Sequence, residues 1–278
     1  MTKRDDFLAS LYSLEGKTAI VTGGTGVLGS AMARGLARAG AKVAILGRRA
    51  QLAEQIVAEM TAEGDVAMPL VADVMERDQL DKAREQILKE WGRIDILINA
   101  AGGNSPEGTV KVDGSFFDLT QAGIQGVIDL NLMGTILPSQ VFGEVMANQK
   151  LGYIVNISSL SVPRALTRPI AYSAAKAGIE NFTRWLAIEM VQKYGEGLHV
   201  NALAPGFFLA DQNRPFMVNP DGTFTPRGHA IINHTASGRF GEPDELVGAV
   251  VWLCSPSASF VNGIVVAVDG GFGAFSGV

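Results

Sequence analysis

The chain has 278 residues, of which 47% are hydrophobic and 18% charged, and its 23 basic and 28 acidic side chains give a formal net charge of −5. This composition excludes a disordered chain, a collagen-like repeat and a disulfide-rich scaffold, and its acidic balance offers no basic field for a nucleic acid. The single cysteine, Cys254, has no partner for a disulfide within the chain, so a reducing compartment is favoured. The length allows two domains, but α/β proteins often reach about 250 residues as one.

Neither a membrane span nor a zinc site is expected. Apolar runs such as Leu246 to Cys254 fall far short of the roughly 20 residues that cross a bilayer. Only His229 and His234 among the histidines lie close together, which is too little for a zinc site, so no metal is predicted. The N-terminal residues place Asp5 and Asp6 after basic ones and lack the apolar core of a signal peptide. A soluble, cytoplasmic protein is therefore expected.

Apolar runs of strand length alternate with helical patterns along the chain. The runs are rich in Val and Ile and lack a polar face, as strands of a parallel sheet covered on both sides require. The predicted strands are Thr18–Thr22, Lys42–Leu46, Val66–Val71, Ile94–Asn99, Tyr153–Ser158, Leu198–Ala204 and Ile264–Val268, and the predicted helices include Leu28–Ala39, Ala50–Ala62, Arg77–Trp91 and Ala171–Tyr194. This pattern predicts an α/β fold, with one doubly wound domain over residues 1–278 and a central, mainly parallel, seven-stranded sheet.

A glycine-rich loop, TGGTGVLG, follows the first predicted strand directly and opens the first predicted helix. Its glycines permit a tight turn at Gly23, close backbone approach at Gly24 and Gly26, and helix-on-strand packing at Gly29. A helix that begins in this way presents its N-terminus to an anion, which predicts a dinucleotide site. The expected contacts come from Gly23, Thr25, Gly26, Val27, Leu28 and Gly29.

The end of the second predicted strand bears on the choice of cofactor. A carboxylate at this point selects NAD, whereas an arginine accommodates the 2′-phosphate of NADP. Here Leu46 is followed by Gly47, Arg48 and Arg49, with no acidic residue. The sequence therefore favours NADP(H) through Arg48, while NAD(H) stays open because both arginines are also typical of a solvated helix start.

Two segments interrupt the alternation of strands and helices. Gly102–Asp118 is rich in glycine and polar residues, and Phe207–Gly238 carries three prolines. Both follow strands, and ligands of open α/β sheets bind beyond the carboxyl ends of the strands. Residues 207–238 are therefore predicted to form an inserted substrate loop or lid.

Four side chains form the predicted catalytic group. Tyr172 and Lys176 stand four residues apart, which places them on one face of a helix. Ser159 follows the fifth strand, and Asn131 lies in the helical stretch before that strand. Ser159 is suited to hydrogen-bond a carbonyl oxygen and Tyr172 to supply its proton. The constellation predicts ketone/alcohol oxidation and reduction.

Acid/base work by tyrosine near neutral pH requires its pKa to fall from about 10 by roughly 3 units, or about 4 kcal/mol. One cation at about 4 Å contributes a similar amount at an effective dielectric constant near 20. Lys176 is therefore expected to lower the pKa of Tyr172.

These motifs together resemble the short-chain dehydrogenase/reductase family over about residues 14 to 273. The matching elements are TGGTGVLG, Asp73-Val74, Asn99-Ala100-Ala101-Gly102, Asn131, Ser158-Ser159, the Tyr172 and Lys176 pair, Pro205-Gly206 and Asp269-Gly270-Gly271. Two positions depart from the family pattern: Val27 replaces its middle glycine, and Ala210 stands where the family often has threonine.

The resemblance implies a nicotinamide cofactor in a Rossmann fold and gives several residues a role. Asp73 is expected to contact the adenine, Asn99 to support the sheet, and Asn131 to hold a water molecule in a proton relay. Lys176 is also expected to bind the nicotinamide ribose. Further cofactor contacts are expected from Val74, Ala100, Ala101, Tyr172, Pro205, Gly206 and Phe208.

Segments such as INAAGGNSP and APGFFLADQNR resemble the D-mannonate oxidoreductase (fructuronate reductase) branch of the family. The resemblance implies a keto or hydroxy sugar acid as substrate, D-fructuronate or D-mannonate. It also implies NAD(H), in conflict with Arg48, so both cofactors stay open.

A sugar acid requires a cation for its carboxylate and hydrogen-bond partners for its hydroxyls. The expected substrate contacts are Asn104, Arg164, Arg168, Asn213 and Arg214, all in the segments that follow strands. The alternative is that these arginines are exposed to solvent and bind no substrate. For His234, a structural role is favoured over contact with the substrate. Alternatives for function are a reductase of another carbonyl, of keto-gluconate or 3-oxoacyl type, and a nucleotide-sensing protein without turnover.

The chain's mean hydropathy of +0.20 is high for a protein with a fully wet surface. Together with the family resemblance, this predicts a homotetramer built through the long helices and the C-terminal strand. The other expected partner is the small sugar-acid substrate, with no nucleic acid and no membrane.

Overall fold

A computed structural model describes residues 3–210 and 213–277 of the chain. Its central sheet has seven strands, which are β1 Thr18–Thr22, β2 Lys42–Gly47, β3 Ala67–Val71, β4 Ile96–Asn99, β5 Gly152–Ile157, β6 Leu198–Pro205 and β7 Val265–Val268. They lie in the order β3-β2-β1-β4-β5-β6-β7, and every neighbouring pair is parallel. The predicted doubly wound α/β fold is confirmed, and the sheet is parallel throughout.

The α-helices of the described residues are α1 Lys3–Tyr12, α2 Val27–Arg38, α3 Ala50–Ala62, α4 Arg77–Trp91, α5 Gln121–Ile128, α6 Gly134–Gln149, α7 Ile170–Tyr194, α8 Arg214–Met217, α9 Pro226–His234 and α10 Val247–Leu253. A π-helical turn, Asp129–Met133, joins α5 to α6. Short 3₁₀ turns lie at Phe116–Asp118, Pro243–Leu246 and Pro256–Ala258. No helix of the described residues is long and apolar enough to cross a membrane.

The sheet is buried on both faces because successive side chains of each strand point to opposite sides. In β1, Val21 belongs to a cluster that contains Leu36 of α2 and Val250 of α10. Its neighbour Ile20 belongs to the opposite cluster, which contains Leu80 of α4 and Phe142 of α6. Helices therefore cover both faces, and ligands can approach only at the edges of this layer.

One predicted strand is shorter than expected for a visible reason. The carboxylate of Asp95 accepts the backbone N–H of Thr18 at 2.9 Å and pairs with Arg93 at 2.6 Å. This ion pair of a buried carboxylate and an exposed arginine stands at the entry of β4, which begins at Ile96 rather than at Ile94.

The order of the strands reverses between β1 and β4, and such a switch point opens a crevice at the carboxyl ends of the strands. The glycine loop follows β1, and the polar segment after β4 lies beside it. The described part of 207–238 follows β6 and packs on its own small cluster of Met217, Ile231 and Phe240. The fold thus brings all the predicted functional segments to one edge of the sheet.

Candidate active site

Tyr172 and Lys176 lie one turn apart at the start of α7, as their spacing predicts. The Tyr172 hydroxyl shares a hydrogen bond with the Ser159 side chain. The Lys176 ammonium lies 5.4 Å from the centre of the Tyr172 ring. The structure therefore brings three of the four predicted catalytic side chains together.

The Lys176 side chain is buried and held in place by a backbone carbonyl. Only 4% of the residue is exposed, and its ammonium donates to the carbonyl oxygen of Ile157 at 2.7 Å. Burial lowers the pKa of Lys176 to about 8, because removal from water disfavours the charged form. Lys176 is therefore a cation at neutral pH and loses its charge as the pH rises above about 8.

Burial raises the pKa of Tyr172, and the hydrogen bond from Ser159 opposes that shift. The structure therefore corrects the expectation that Lys176 lowers the pKa of this tyrosine. The physical reason is that the ammonium bonds to the Ile157 carbonyl and lies over the ring. Tyr172 is accordingly protonated at neutral pH, the form that donates a proton to a ketone oxygen.

Asn131 lies in the π-helical turn between α5 and α6, a feature often found at functional sites. Its amide donates to the carbonyls of Gly103 and Val127 at 2.7 and 2.8 Å, and its oxygen accepts the Gly103 N–H at 3.1 Å. A side chain on Gly102 would lie 2.6 Å from that oxygen and 3.6 Å from the Lys176 ammonium. Asn131 therefore fixes the loop after β4 beside the lysine, and its water-holding role stays a prediction.

A buried carboxylate that the sequence reasoning missed supports the serine end of the site. Glu180 accepts the hydroxyl of Ser158 at 2.9 Å and pairs with Arg184 at 3.1 Å. Glu180 lies one turn beyond Lys176 on α7, so the helical spacing was the available signal. Its bond holds the residue adjacent to Ser159.

The glycine loop has the geometry of a close backbone approach. Gly23 has a φ of +62°, and a Cβ on it would lie 2.7 Å from the carbonyl oxygen of Ala100. A Cβ on Gly29 would lie 2.3 Å from the Gly23 carbonyl oxygen. Gly26 is the N-cap of α2 and has no side chain to cover the first amides of that helix. These amides, at Val27, Leu28 and Gly29, suit a phosphate group, so the cradle fits a dinucleotide.

Replacement of Gly29 by alanine is expected to weaken cofactor binding. The added methyl group meets backbone on the opposite side of the loop, which cannot rotate away. Overpacking of this kind costs about 1–3 kcal/mol, so the Kd for NAD(P)H should rise roughly 10- to 100-fold. Fluorescence titration measures it, and Gly248→Ala, with open space around its Cβ, is the matched control. An unchanged Kd for Gly29→Ala contradicts this expectation.

Arg48 and Arg49, after β2, contact different partners. Arg48 is exposed and pairs with Asp73 at 3.5 Å, while Arg49 donates to the carbonyl oxygen of Thr25 at 2.7 Å. Val74, next to Asp73, is buried. Asp73 and Arg48 thus stand together at the ends of β3 and β2, where the adenosine of a dinucleotide is expected.

The end of β4 is tied to its neighbours by polar side chains. Asn99 donates to Ser139 of α6 at 2.9 Å and to Asn156 of β5 at 2.8 Å, and its place beside the cofactor stays a prediction. The backbone amides of Ala100 and Ala101 both donate to the Thr22 hydroxyl, at 3.1 and 3.2 Å. These bonds hold the floor of the crevice between β1 and β4.

Pro205 and Gly206 end β6 at the same edge. A Cβ on Gly206 would lie 2.6 Å from the Cα of Asp269, so a larger residue cannot fit there. Phe208 is buried, and its ring packs against Gly241. The side chain of Phe208 therefore belongs to the core, and its contact with a cofactor stays a prediction.

A cavity of about 710 Å³ opens beside Ser159 and Tyr172. Its described lining is polar and basic at several points and contains no Asp or Glu. The polar and basic lining residues are Asn104, Ser105, Thr109, Lys111, Ser159, Arg168, Tyr172, Asn213 and Arg227. A substrate that carries hydroxyl groups and a negative charge suits this surface.

Three of the five predicted substrate residues line the cavity: Asn104, Arg168 and Asn213. The structure does not place the other two in its described wall. Arg164 is exposed and donates to the carbonyl oxygen of Gly273 at 2.8 Å, and Arg214 is exposed at the start of α8. The amide of Asn213 is also engaged, with the Ala210 N–H and the Phe208 carbonyl.

Lys111 and Arg227 were missed by the sequence reasoning. Both lie in the two segments that interrupt the strand and helix pattern, and that position was the available signal. Among the described residues, no group of three or more His, Cys, Asp or Glu side chains is placed to hold a metal ion.

Comparison with known proteins defines the class. A family model described as enoyl-(acyl carrier protein) reductase matches residues 25–273. The chain belongs to the short-chain dehydrogenase/reductase family and is an oxidoreductase of that family.

Several relatives cover nearly the whole chain. It is 49% identical to UxuB of Bacillus subtilis (strain 168), an uncharacterized oxidoreductase, over 96% of this chain and 98% of that protein. A solved structure with bound NAD, a proposed D-mannonate oxidoreductase from Haemophilus influenza, is 40% identical, covers 98% of this chain and 100% of its own, and superposes with a TM-score of 0.90.

Another solved structure, a gluconate 5-dehydrogenase from Burkholderia cenocepacia J2315 in complex with NADP and tartrate, is 30% identical. It covers 95% of this chain and 98% of its own, with a TM-score of 0.84. Solved relatives therefore hold either nicotinamide dinucleotide.

Proposed function

We propose that this protein reduces the keto group of a sugar acid, or oxidises the corresponding alcohol, with a nicotinamide dinucleotide. The cavity beside Tyr172 carries the proposal, because its described wall combines arginines and hydrogen-bonding side chains with no carboxylate. The same wall also carries apolar side chains such as Leu160, Leu166 and Phe216. Its cations favour a sugar acid over the 3-oxoacyl alternative, because a neutral acyl chain has no carboxylate to pair with them.

The side chains divide the work of a ketone reduction. The cofactor, when bound, supplies the hydride. Ser159 donates a hydrogen bond to the substrate carbonyl oxygen as negative charge develops there. Tyr172 gives its hydroxyl proton to the same oxygen, so the C=O bond becomes CH–OH. Lys176 supplies positive charge beneath the resulting phenolate.

Within the sugar acids, the proposed pair is D-fructuronate and D-mannonate. The name of the Haemophilus relative supports this choice. A keto-gluconate is the second candidate, favoured by the Burkholderia relative, which is a gluconate 5-dehydrogenase.

A substrate panel tests the proposal. The purified protein is assayed with NADH and with NADPH against D-fructuronate, 5-keto-D-gluconate and a 3-oxoacyl thioester. Turnover of D-fructuronate at the highest kcat/KM is expected. Turnover of the thioester alone overturns the sugar-acid proposal, and tight cofactor binding without turnover of any carbonyl favours the nucleotide-sensing alternative.

NADP(H) is the proposed cofactor, through Arg48. The Arg48→Ala variant should raise the Kd for NADPH about 10-fold, because a charge-assisted bond to the 2′-phosphate is lost, and should leave the Kd for NADH within about twofold. Titrations of both cofactors measure this, with Arg38→Ala, an exposed arginine of α2, as control. Tighter binding of NADH than NADPH, unchanged in Arg48→Ala, contradicts this cofactor choice.

A homotetramer is the proposed assembly, and a cytoplasmic location stays a prediction. The exposed side of α7 carries Ile170, Trp185 and Ile188, apolar surface of the kind that subunits bury. Sedimentation should give the mass of four 29.4 kDa chains. A mass near that of one chain contradicts the assembly.

A further inference from the structure

Two arginines from different parts of the chain line the same cavity. Arg168 precedes α7, in the loop that follows β5, and Arg227 is near the start of α9 in the 207–238 segment. The Arg227 guanidinium lies 3.4 Å from the Thr167 hydroxyl. The arginine of the inserted segment therefore reaches across to the loop that carries Arg168.

The two side chains repel one another. Burial lowers the pKa of Arg227, and the charge of Arg168 lowers it further. No ion pair formed among residues 3–210 and 213–277 includes either arginine. An anion bound between two neighbouring cations relieves their repulsion.

Arg168 is also fixed in an unusual backbone position. Its φ is +88°, in the region that side chains rarely adopt. Its Nε donates to the Val110 carbonyl at 2.7 Å, and its own carbonyl accepts the Val110 N–H. These bonds hold the strained loop against the segment after β4 and direct the side chain to the cavity wall. Strain of this kind is typical of sites that bind ligands.

We infer that Arg168 and Arg227 together bind the carboxylate of the sugar acid, an inference that rests on the proposed function. Guanidinium groups suit a carboxylate because each offers two parallel N–H donors. Since Arg168 belongs to the loop beside the catalytic group and Arg227 to the inserted segment, the bound carboxylate joins the two. Substrate with a carboxylate therefore holds α9 against the cavity.

A binding experiment tests this without turnover. D-gluconate and D-sorbitol differ at one end, where a carboxylate replaces a CH₂OH group. With reduced cofactor present, neither alcohol reacts, so titration calorimetry gives their Kd values directly. Arg227→Gln should weaken D-gluconate binding about 10- to 100-fold, the effect of a lost charge-assisted bond, and leave D-sorbitol binding unchanged. The Arg227→Lys variant keeps the charge but loses the two parallel N–H donors of the guanidinium, so its Kd for D-gluconate should lie between those of the wild type and Arg227→Gln.

Arg38→Gln is the matched control, since Arg38 is an exposed cation of α2 outside the described cavity wall. Hydrogen exchange provides a second measurement. D-gluconate should slow exchange in 226–234 of the wild-type protein and not in Arg227→Gln, and D-sorbitol should have no effect in either. The Arg227 site is the primary target, because Arg168 substitution also removes the bond to Val110.

The outcomes separate this inference from the proposed function. Wild-type turnover of keto acids together with unchanged D-gluconate binding by Arg227→Gln overturns the two-arginine site and leaves the function intact. Absence of keto-acid turnover by the wild type overturns the function. Equal losses in Arg227→Gln and Arg38→Gln show a general effect of charge and also overturn the inference.

Discussion

Replacement of Tyr172 by phenylalanine is expected to lower kcat for ketone reduction about 10²- to 10⁴-fold, the usual contribution of a positioned acid. The variant loses only the hydroxyl that shares a hydrogen bond with Ser159. The ring stays in place over Lys176. The Kd for the cofactor should therefore change little, and stopped-flow reduction with saturating NAD(P)H separates the two quantities.

Tyr194→Phe is the matched control for this experiment. Tyr194 is the last residue of the same helix and is partly exposed. Its loss should leave kcat unchanged. If Tyr172→Phe retained wild-type kcat, another group would have to supply the proton, and the assignment of Tyr172 would be wrong.

Replacement of Lys176 by methionine is expected to lower kcat/KM about 10²- to 10³-fold, the effect of removing one electrostatic contact to developing charge. The dependence of the wild-type reduction rate on pH should show the contribution of the Lys176 charge. The Lys176 pKa of about 8 means that the ammonium is charged below pH 8 and neutral above it. Burial raises the pKa of Tyr172, so the acid stays protonated throughout this range. Reduction should therefore be flat below pH 8 and decline above it.

Rates from pH 6 to 10 with saturating cofactor check this profile, and Lys193→Met, an exposed lysine of α7 that pairs with Glu189, is the control. The decline above pH 8 should be present in Lys193→Met and absent from the residual activity of Lys176→Met. A wild-type rate that stays constant to pH 10 contradicts the role of the ammonium.

The same lysine links stability to pH. Burial lowers its pKa from 10.5 to about 8, so the folded state binds fewer protons than the unfolded state between these values. The free energy of unfolding should then rise with pH across pH 8–10.5 in the wild type relative to Lys176→Met. Denaturant melts of both proteins over that window measure the difference.

Local pattern was sufficient to predict much of this protein. The apolar runs, their spacing and their Val and Ile content identified all seven strands, with ends shifted by one or two residues. The buried carboxylate of Asp95 accounts for one such shift, because it contacts the backbone of Thr18, a residue distant in sequence that no local pattern records. The proximity of Tyr172 and Lys176 could be predicted from the sequence, because residues four apart on a helix lie on the same face about one turn apart.

The residues that line the substrate cavity were harder to predict from the sequence. Of the arginines proposed from sequence, Arg168 lines the cavity, whereas Arg164 turns to the carbonyl of Gly273. Arg227, 59 residues after Arg168 in the numbering, reaches the same wall because α9 packs beside the loop that carries Thr167 and Arg168. Proximity across such a separation is set by packing rather than by local spacing.

The sequence by itself thus determined the fold class, the glycine cradle and the catalytic pair, because each depends on backbone periodicity or on residues within a few turns. Only the tertiary structure decided the direction of the Tyr172 pKa shift and the placement of Arg168 and Arg227 in one cavity wall. Both depend on burial and on charges from distant segments. Desolvation and charge repulsion act through space, and they appear only when the chain has closed around the site.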